Sequence, residues 1–213
     1  MTQPLQLIGR SSSHFTRVAL IFAHQLEVPL ELVQVQDLTS VDPTGYAGNP
    51  AMKIPTLRRG DSLLFGTENI CRALAEMATV PRRIVWPDEL RTDLARSAQE
   101  LVWHGMAAQV QLIIGVLLEK LPADGVFFSK CRLGFESALR WLDDHLADVL
   151  ATLPTPRDLS LFEVTLFCLM DHMVFRRTVP TAPYPNLLAF AASYASLPGA
   201  QHTPYRMPPP PTA

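Results

Sequence analysis

The chain has 213 residues, 48% of them hydrophobic and 18% charged, with a formal net charge of −2. This is the balance of a soluble globular protein, with length for one large domain or two small ones. It gives no electrostatic reason to expect nucleic acid or an acidic membrane as partner. The longest apolar stretch, Leu112 to Leu118, is too short to span a bilayer, and Met1-Thr2-Gln3-Pro4 lacks the features of a secretory signal. Cys71, Cys131 and Cys168 lie far apart without a C-x-x-C pair. They read as buried small hydrophobes in a reducing-compartment protein without structural metal.

Strand-like and helix-like patterns alternate over the first eighty residues. Leu5 to Ile8 is a short apolar strand that stops at Gly9. Phe15, Val18, Ala19, Phe22, Ala23 and Leu26 then recur at the spacing of a helix with one buried face. Leu30 to Val35 reads as a second strand, with a slip in alternation at Val33. Thr56–Arg58 and Leu63–Phe65 flank Arg59-Gly60-Asp61-Ser62, a hairpin signal. Ile70, Ala73, Leu74 and Met77 mark a second amphipathic helix. Strands joined through a helix pair in parallel and strands joined by a tight turn pair antiparallel. The order strand-helix-strand, strand-strand-helix is thioredoxin-like and predicts an α/β domain over residues 1–79.

Residues 80–87 carry two prolines, two arginines and no period, and read as a linker. From 88 to 206 the pattern is helical only. One long helix is expected from Asp88 to about Lys120, another from about Ser129 to Leu150, and a last one from Pro185 through Ala195. Ser160-Leu161-Phe162-Glu163 has the form of a capping box, in which the serine hydroxyl takes one free N–H and the glutamate reaches back to another. Residues 207–213, with four consecutive prolines, read as an extended or disordered tail.

Two stretches carry chemistry. In Gly9-Arg10-Ser11-Ser12-Ser13-His14-Phe15-Thr16-Arg17 three hydroxyls enter a helix N-terminus, where N–H groups are unpaired and the helix end is partly positive. One serine capping the helix is the plain reading. A site that favours a thiolate is the other, because a free thiol titrates near 8.5 and such a setting lowers that value. His14 is a candidate base by residue type and reads as a surface residue near the cap. The second stretch is Asn49-Pro50-Ala51-Met52-Lys53-Ile54-Pro55-Thr56-Leu57. A proline at the start of a strand points to an edge, a bulge or a cis bond, and spacing alone leaves trans the better reading.

The string N-P-x-x-K-I-P-x-L resembles the glutathione-binding corner of the glutathione S-transferase family. The resemblance extends from Leu5 to about Tyr205, and includes the Ser160–Glu163 helix start and the closing segment from Tyr184. It implies a thioredoxin-like domain followed by an all-helical domain, a cis bond before Pro55, and a cytoplasmic homodimer with detoxifying activity. It implies that Ser13, four residues before Arg17, activates the thiol of glutathione for attack on a small electrophile. His14 stands where the family commonly has proline. Arg10-Ser11-Ser12 is similar to the zeta-class maleylacetoacetate isomerases, which keeps Ser11 and Ser12 open for the thiol role and cis–trans isomerisation open as the reaction. The departures at His14 and at Asn69, where the family has serine, also leave room for a non-catalytic binding domain of this fold. By the same resemblance, Ile54 before Pro55 offers its backbone to the cysteinyl part of glutathione, and Lys53 can reach a carboxylate. Glu68 accepts from the γ-glutamyl ammonium, and the backbone N–H of Asn69 meets the α-carboxylate. Trp103, His104 and Met106 line the co-substrate pocket between the domains. Glutathione is the implied co-substrate, with no metal.

Overall fold

The computed structural model describes residues 4–208. The chain forms two compact units: residues up to Arg82 together with the segment from Ser196 onward, and Arg83–Ala195. Residues 196–206, expected with the helices, belong instead to the first unit. Most of the proline tail, 209–213, lies outside the described residues.

In the first unit β1 (Gln6–Gly9), α1 (His14–Gln25), β2 (Glu31–Gln34), β3 (Thr56–Arg59), β4 (Ser62–Phe65) and α2 (Thr67–Met77) give a sheet of order β2-β1-β3-β4. β1 and β2 are parallel and β3 and β4 antiparallel, as the connections require, and β3 also pairs antiparallel with β1. Leu7 and Ile8 are both buried although successive side chains point to opposite faces, so the sheet is covered on both sides at β1. β2 is an edge strand with Glu31 exposed and its other residues half-buried, which accounts for its weak alternation. α1 and α2 pack on each other, and Val18, Ile21, Phe22, Ile70 and Leu74 are fully buried. The segment from Ser196 adds α7 (Pro198–His202), packed against α1.

The second unit is helical apart from β5 (Ile84–Val85) and β6 (Leu159–Ser160), a two-residue parallel pair that draws part of the expected linker into the unit. α3 (Asp93–Gln111) continues as a π-helical run, Leu112–Leu118. By length and composition Asp93–Leu118 would suffice to cross a membrane; here α3 packs against α4 (Val126–Thr152) and α5 (Leu161–Arg176). α5 is buried over most of its circumference from Leu161 to Met173, as expected of a central helix. α6 (Pro185–Tyr194) has no capping side chain of its own. Asp143 of α4 supplies one from across the unit, its Oδ1 accepting the Leu187 N–H at 2.8 Å.

The capping box at Ser160 does not form. Ser160 is the residue before α5, but its Oγ is buried without a hydrogen-bond partner. Glu163 turns to Arg157, with N–O distances of 2.8 and 3.0 Å and both side chains 19% exposed. A bidentate guanidinium–carboxylate pair outweighs one neutral backbone contact. Ser160→Ala is therefore expected to change stability by less than about 0.5 kcal/mol, whereas Arg157→Ala costs about 1–3 kcal/mol by stranding a half-buried carboxylate. Urea titration of the two variants checks the contrast. Cys71 and Cys168 are buried as expected, but Cys131 is half-buried, with its Sγ 3.3 Å from Gln111 Oε1.

Candidate functional site

Strand register brings the three sequence signals to one end of the sheet. Ile8 pairs with Thr56, and Thr56 pairs with Phe65. Gly9, Pro55 and Gly66, each one residue beyond these partners, are therefore neighbours where β1 ends, β3 begins and β4 ends. Sequence spacing alone could not show this.

At Gly9 an added Cβ would lie 2.7 Å from both Cγ2 and Oγ1 of Thr16, so the strand end and α1 meet closer than any other residue allows. That approach lets the Arg10 N–H donate to Thr16 Oγ1 at 3.2 Å. Ser13 is the N-cap of α1, with its Oγ accepting the Thr16 N–H at 3.3 Å. Accepting occupies a lone pair and leaves the hydroxyl proton to donate. The other two serines differ. The Ser11 hydroxyl donates to the Arg206 C=O at 3.0 Å, and Ser12 is 2% exposed. His14 is not a surface residue: it is 1% exposed, at the first position of α1, with its ring 4.7 Å from that of Phe15. Arg10 donates to the Gln36 C=O at 3.2 Å, and burial lowers its pKa, partly offset by Asp37.

The second corner is built around a residue to which the sequence reading gave no role. Asn49 is 4% exposed; its Nδ2 donates to the Lys53 C=O at 2.8 Å, and its Oδ1 accepts the Ala51 N–H at 3.0 Å. Its own C=O accepts the Met52 N–H at 2.9 Å, so the Pro50–Lys53 loop is folded around one side chain. The signal available in the sequence was an asparagine in a turn, whose amide commonly bonds the backbone two residues on. The Ile54–Pro55 bond is cis, as the resemblance implies, and Thr155–Pro156 is cis as well. Ile54 packs with Val33, Leu38 and Ala47 on a cluster of Ile8, Val35 and Tyr46. The Tyr46 hydroxyl donates to the Ser40 C=O at 3.0 Å; burial raises its pKa and Asp37 adds to the shift. The β3 ladders begin at Thr56, so the Ile54 N–H and C=O lie outside them. Lys53 is exposed and Pro55 buried.

At the third corner Gly66, with φ of 90°, is the N-cap of α2 and brings no capping side chain; Thr67 is the first helical residue. Glu68 and Asn69 occupy the first turn. Glu68 Oε1 accepts from Arg72 Nε at 2.9 Å, which leaves Oε2 outside that bond. Asn69 Nδ2 donates to the Phe65 C=O at 3.0 Å, so its side chain is directed back to the strand end. A helix start without a side-chain cap presents its first N–H groups to an anion.

Of the residues expected to line a co-substrate pocket, Trp103 is half-buried and His104 exposed. Met106 is fully buried on α3. Among the described residues no group of three or more His, Cys, Asp or Glu side chains could hold a metal ion.

Residues 7–82 match the family model of the glutathione S-transferase N-terminal domain. These residues form a glutathione S-transferase N-terminal domain. Solved glutathione S-transferase structures share the fold of the chain at low identity. A glutathione S-transferase from Methylobacterium radiotolerans JCM 2831, in complex with glutathione sulfonate, is 19% identical with a TM-score of 0.76, over 99% of this chain and 100% of that one. One from Methylobacillus flagellatus KT with glutathione bound is 19% identical with a TM-score of 0.73, over 94% and 98% of the two chains. A family member from Pseudomonas fluorescens Pf-5 with bound glutathione is 20% identical with a TM-score of 0.72, over 98% and 100%. No curated protein matches this sequence. The three corners all fall in the matched N-terminal domain.

Proposed function

We propose that this protein is a glutathione transferase in which the Ser13 hydroxyl stabilises the thiolate of bound glutathione. The observation that carries the reading is the state of the three serines. Ser13 caps α1 by accepting a hydrogen bond and keeps its proton to donate, whereas the Ser11 proton is given to Arg206 and Ser12 is buried. The thiol proton would leave to solvent. The thiolate sulfur, held by the Ser13 O–H and the positive end of α1, would then form a C–S bond with an electrophilic carbon as a leaving group departs or a double bond opens.

Around that sulfur the remaining corners take up the tripeptide. The Ile54 N–H and C=O pair with its cysteinyl residue like an added strand, and exposed Lys53 meets the glycyl carboxylate. The uncapped start of α2, at Asn69, meets the γ-glutamyl carboxylate, and Glu68 accepts from the ammonium through Oε2. The side-chain amide of Asn69, turned to Phe65, is not used. The committed Ser11 hydroxyl and buried Ser12 weigh against the isomerase-type arrangement with an earlier serine.

Binding to immobilised glutathione, ultraviolet titration of the bound thiol, and assay of an electrophile panel together with maleylacetoacetate test the proposal. Retention on the resin, a thiol pKa well below 8.5 and turnover of electrophiles are expected. Retention with an unshifted thiol and no turnover would make the protein a binding domain instead; turnover of maleylacetoacetate alone would make it an isomerase.

A further inference from the structure

The family reading used Arg17 only to mark Ser13, yet Arg17 is a 4% exposed guanidinium with specific partners. Its Nη2 donates to the Ala200 C=O at 3.2 Å, its Nε to Thr203 Oγ1 at 3.4 Å, and its Cζ lies 4.2 Å from the centre of the Tyr205 ring. All three partners belong to the segment that returns to the first unit after Ser196. α7 is seated on α1 closely enough that a Cβ on Gly199 would lie 3.0 Å from Gln25 Nε2 and 3.3 Å from Ile21 Cγ2. The rings of His24 and His202 stack 4.3 Å apart. One residue after Tyr205 the segment reaches the serine loop. The Ser11 Oγ–H donates to the Arg206 C=O at 3.0 Å, and the Arg206 N–H donates to the Ser11 C=O at 3.3 Å.

We propose that the segment from Ser196 to Met207 is a positioning strap for the serine loop, with Arg17 as its anchor. Residues 10–13 lie outside every strand ladder. Their other ties include the Arg10 N–H to Thr16, the Ser13 N–H to the Arg10 C=O, the Arg10 side chain to the Gln36 C=O and the Ser11 N–H to Gln34 Oε1, all from residues 10–36. The paired bonds to Arg206 come from the far end of the chain. A buried guanidinium is retained only where its donors find acceptors, and here the strap accepts from Nη2 and Nε. Arg17 also donates its backbone N–H to the Ser13 C=O at 3.0 Å, so the anchor sits one helical turn from the proposed thiol-activating hydroxyl. Placement of Ser13 then depends on contacts spanning 183 to 195 positions in sequence, none of which need touch glutathione.

This inference rests on the reading of Ser13, and the test separates the two. Tyr205→Ala and Arg17→Lys are made in the full chain; the first removes the ring and the second keeps the charge but loses the fork. Amide hydrogen exchange is measured without glutathione, and the thiol pKa with it. Exchange at residues 11–13 is expected to rise about tenfold in both variants, with β3 and β4 unchanged. The pKa of bound glutathione should rise while its Kd stays within about threefold, since the binding corners at Ile54 and Asn69 are untouched. Unchanged exchange at 11–13 overturns the strap. Faster exchange with a thiol pKa as low as in the unaltered protein overturns its positioning role. A thiol that titrates in the unaltered protein as free glutathione does overturns the Ser13 reading instead, and exchange at 11–13 then decides the strap by itself.

Discussion

Ser13→Ala is expected to raise the pKa of bound glutathione and lower kcat/KM about ten- to hundredfold. A hydrogen bond to a charged partner contributes about 1.5–3 kcal/mol, and about 1.4 kcal/mol corresponds to a factor of ten. The same substitution removes the α1 cap, at a cost of about 1 kcal/mol of stability. Ser13→Gly separates the two effects, because glycine at an N-cap costs only a few tenths of a kcal/mol relative to serine while it equally lacks the hydroxyl. Both variants should lose the thiolate absorbance at neutral pH, and only the alanine variant should melt clearly lower. Ser13→Thr should keep both properties. An unshifted thiol in Ser13→Ala would return the role to Ser11 or Ser12.

Asn49→Ala should lower both stability and glutathione affinity. The Asn49 amide holds the Lys53 C=O and the Ala51 N–H, and it is 4% exposed. Removing it leaves a void and loses both bonds, at a cost of about 1–3 kcal/mol, or roughly 2–12 °C in Tm at the scale of about 2–4 °C per kcal/mol. The Lys53 C=O belongs to the peptide that precedes Ile54, so loss of this tie also frees the backbone proposed to grip glutathione. Affinity by calorimetry should fall about tenfold or more. Asn49→Asp should not rescue it: the carboxylate still accepts the Ala51 N–H but turns an acceptor toward the Lys53 carbonyl. Wild-type affinity in Asn49→Ala would show that the loop is held by Ile54 packing alone.

Where helices and strands lie follows from local patterns, and these were legible. The 3.6-residue period of Val18, Ala19 and Phe22 gives α1, and the hairpin chemistry around Gly60 gives β3 and β4, within a residue or two of their observed ends. The N-P-x-x-K-I-P string located the second corner for a similar reason, since proline and asparagine act on their immediate backbone. The capping box at Ser160 failed because a local motif competes with partners it cannot foresee; Arg157 offered Glu163 a bidentate charge pair. His14 was misread because the first turn of a helix is exposed only if nothing packs there.

The sequence by itself determined the order of elements, the α/β-then-helical division, and the residue types at each corner, because these depend on period and turn chemistry over a few residues. Tertiary structure decided which corners meet, through the register Ile8–Thr56–Phe65. It decided that Ser13 rather than Ser11 keeps a proton to give, through Arg206, and that α7 belongs with the first unit, through Arg17. The physical reason is the same in each case: a hydrogen-bond donor is assigned by whatever acceptor folding brings within about 3 Å, and that acceptor can lie anywhere in the chain.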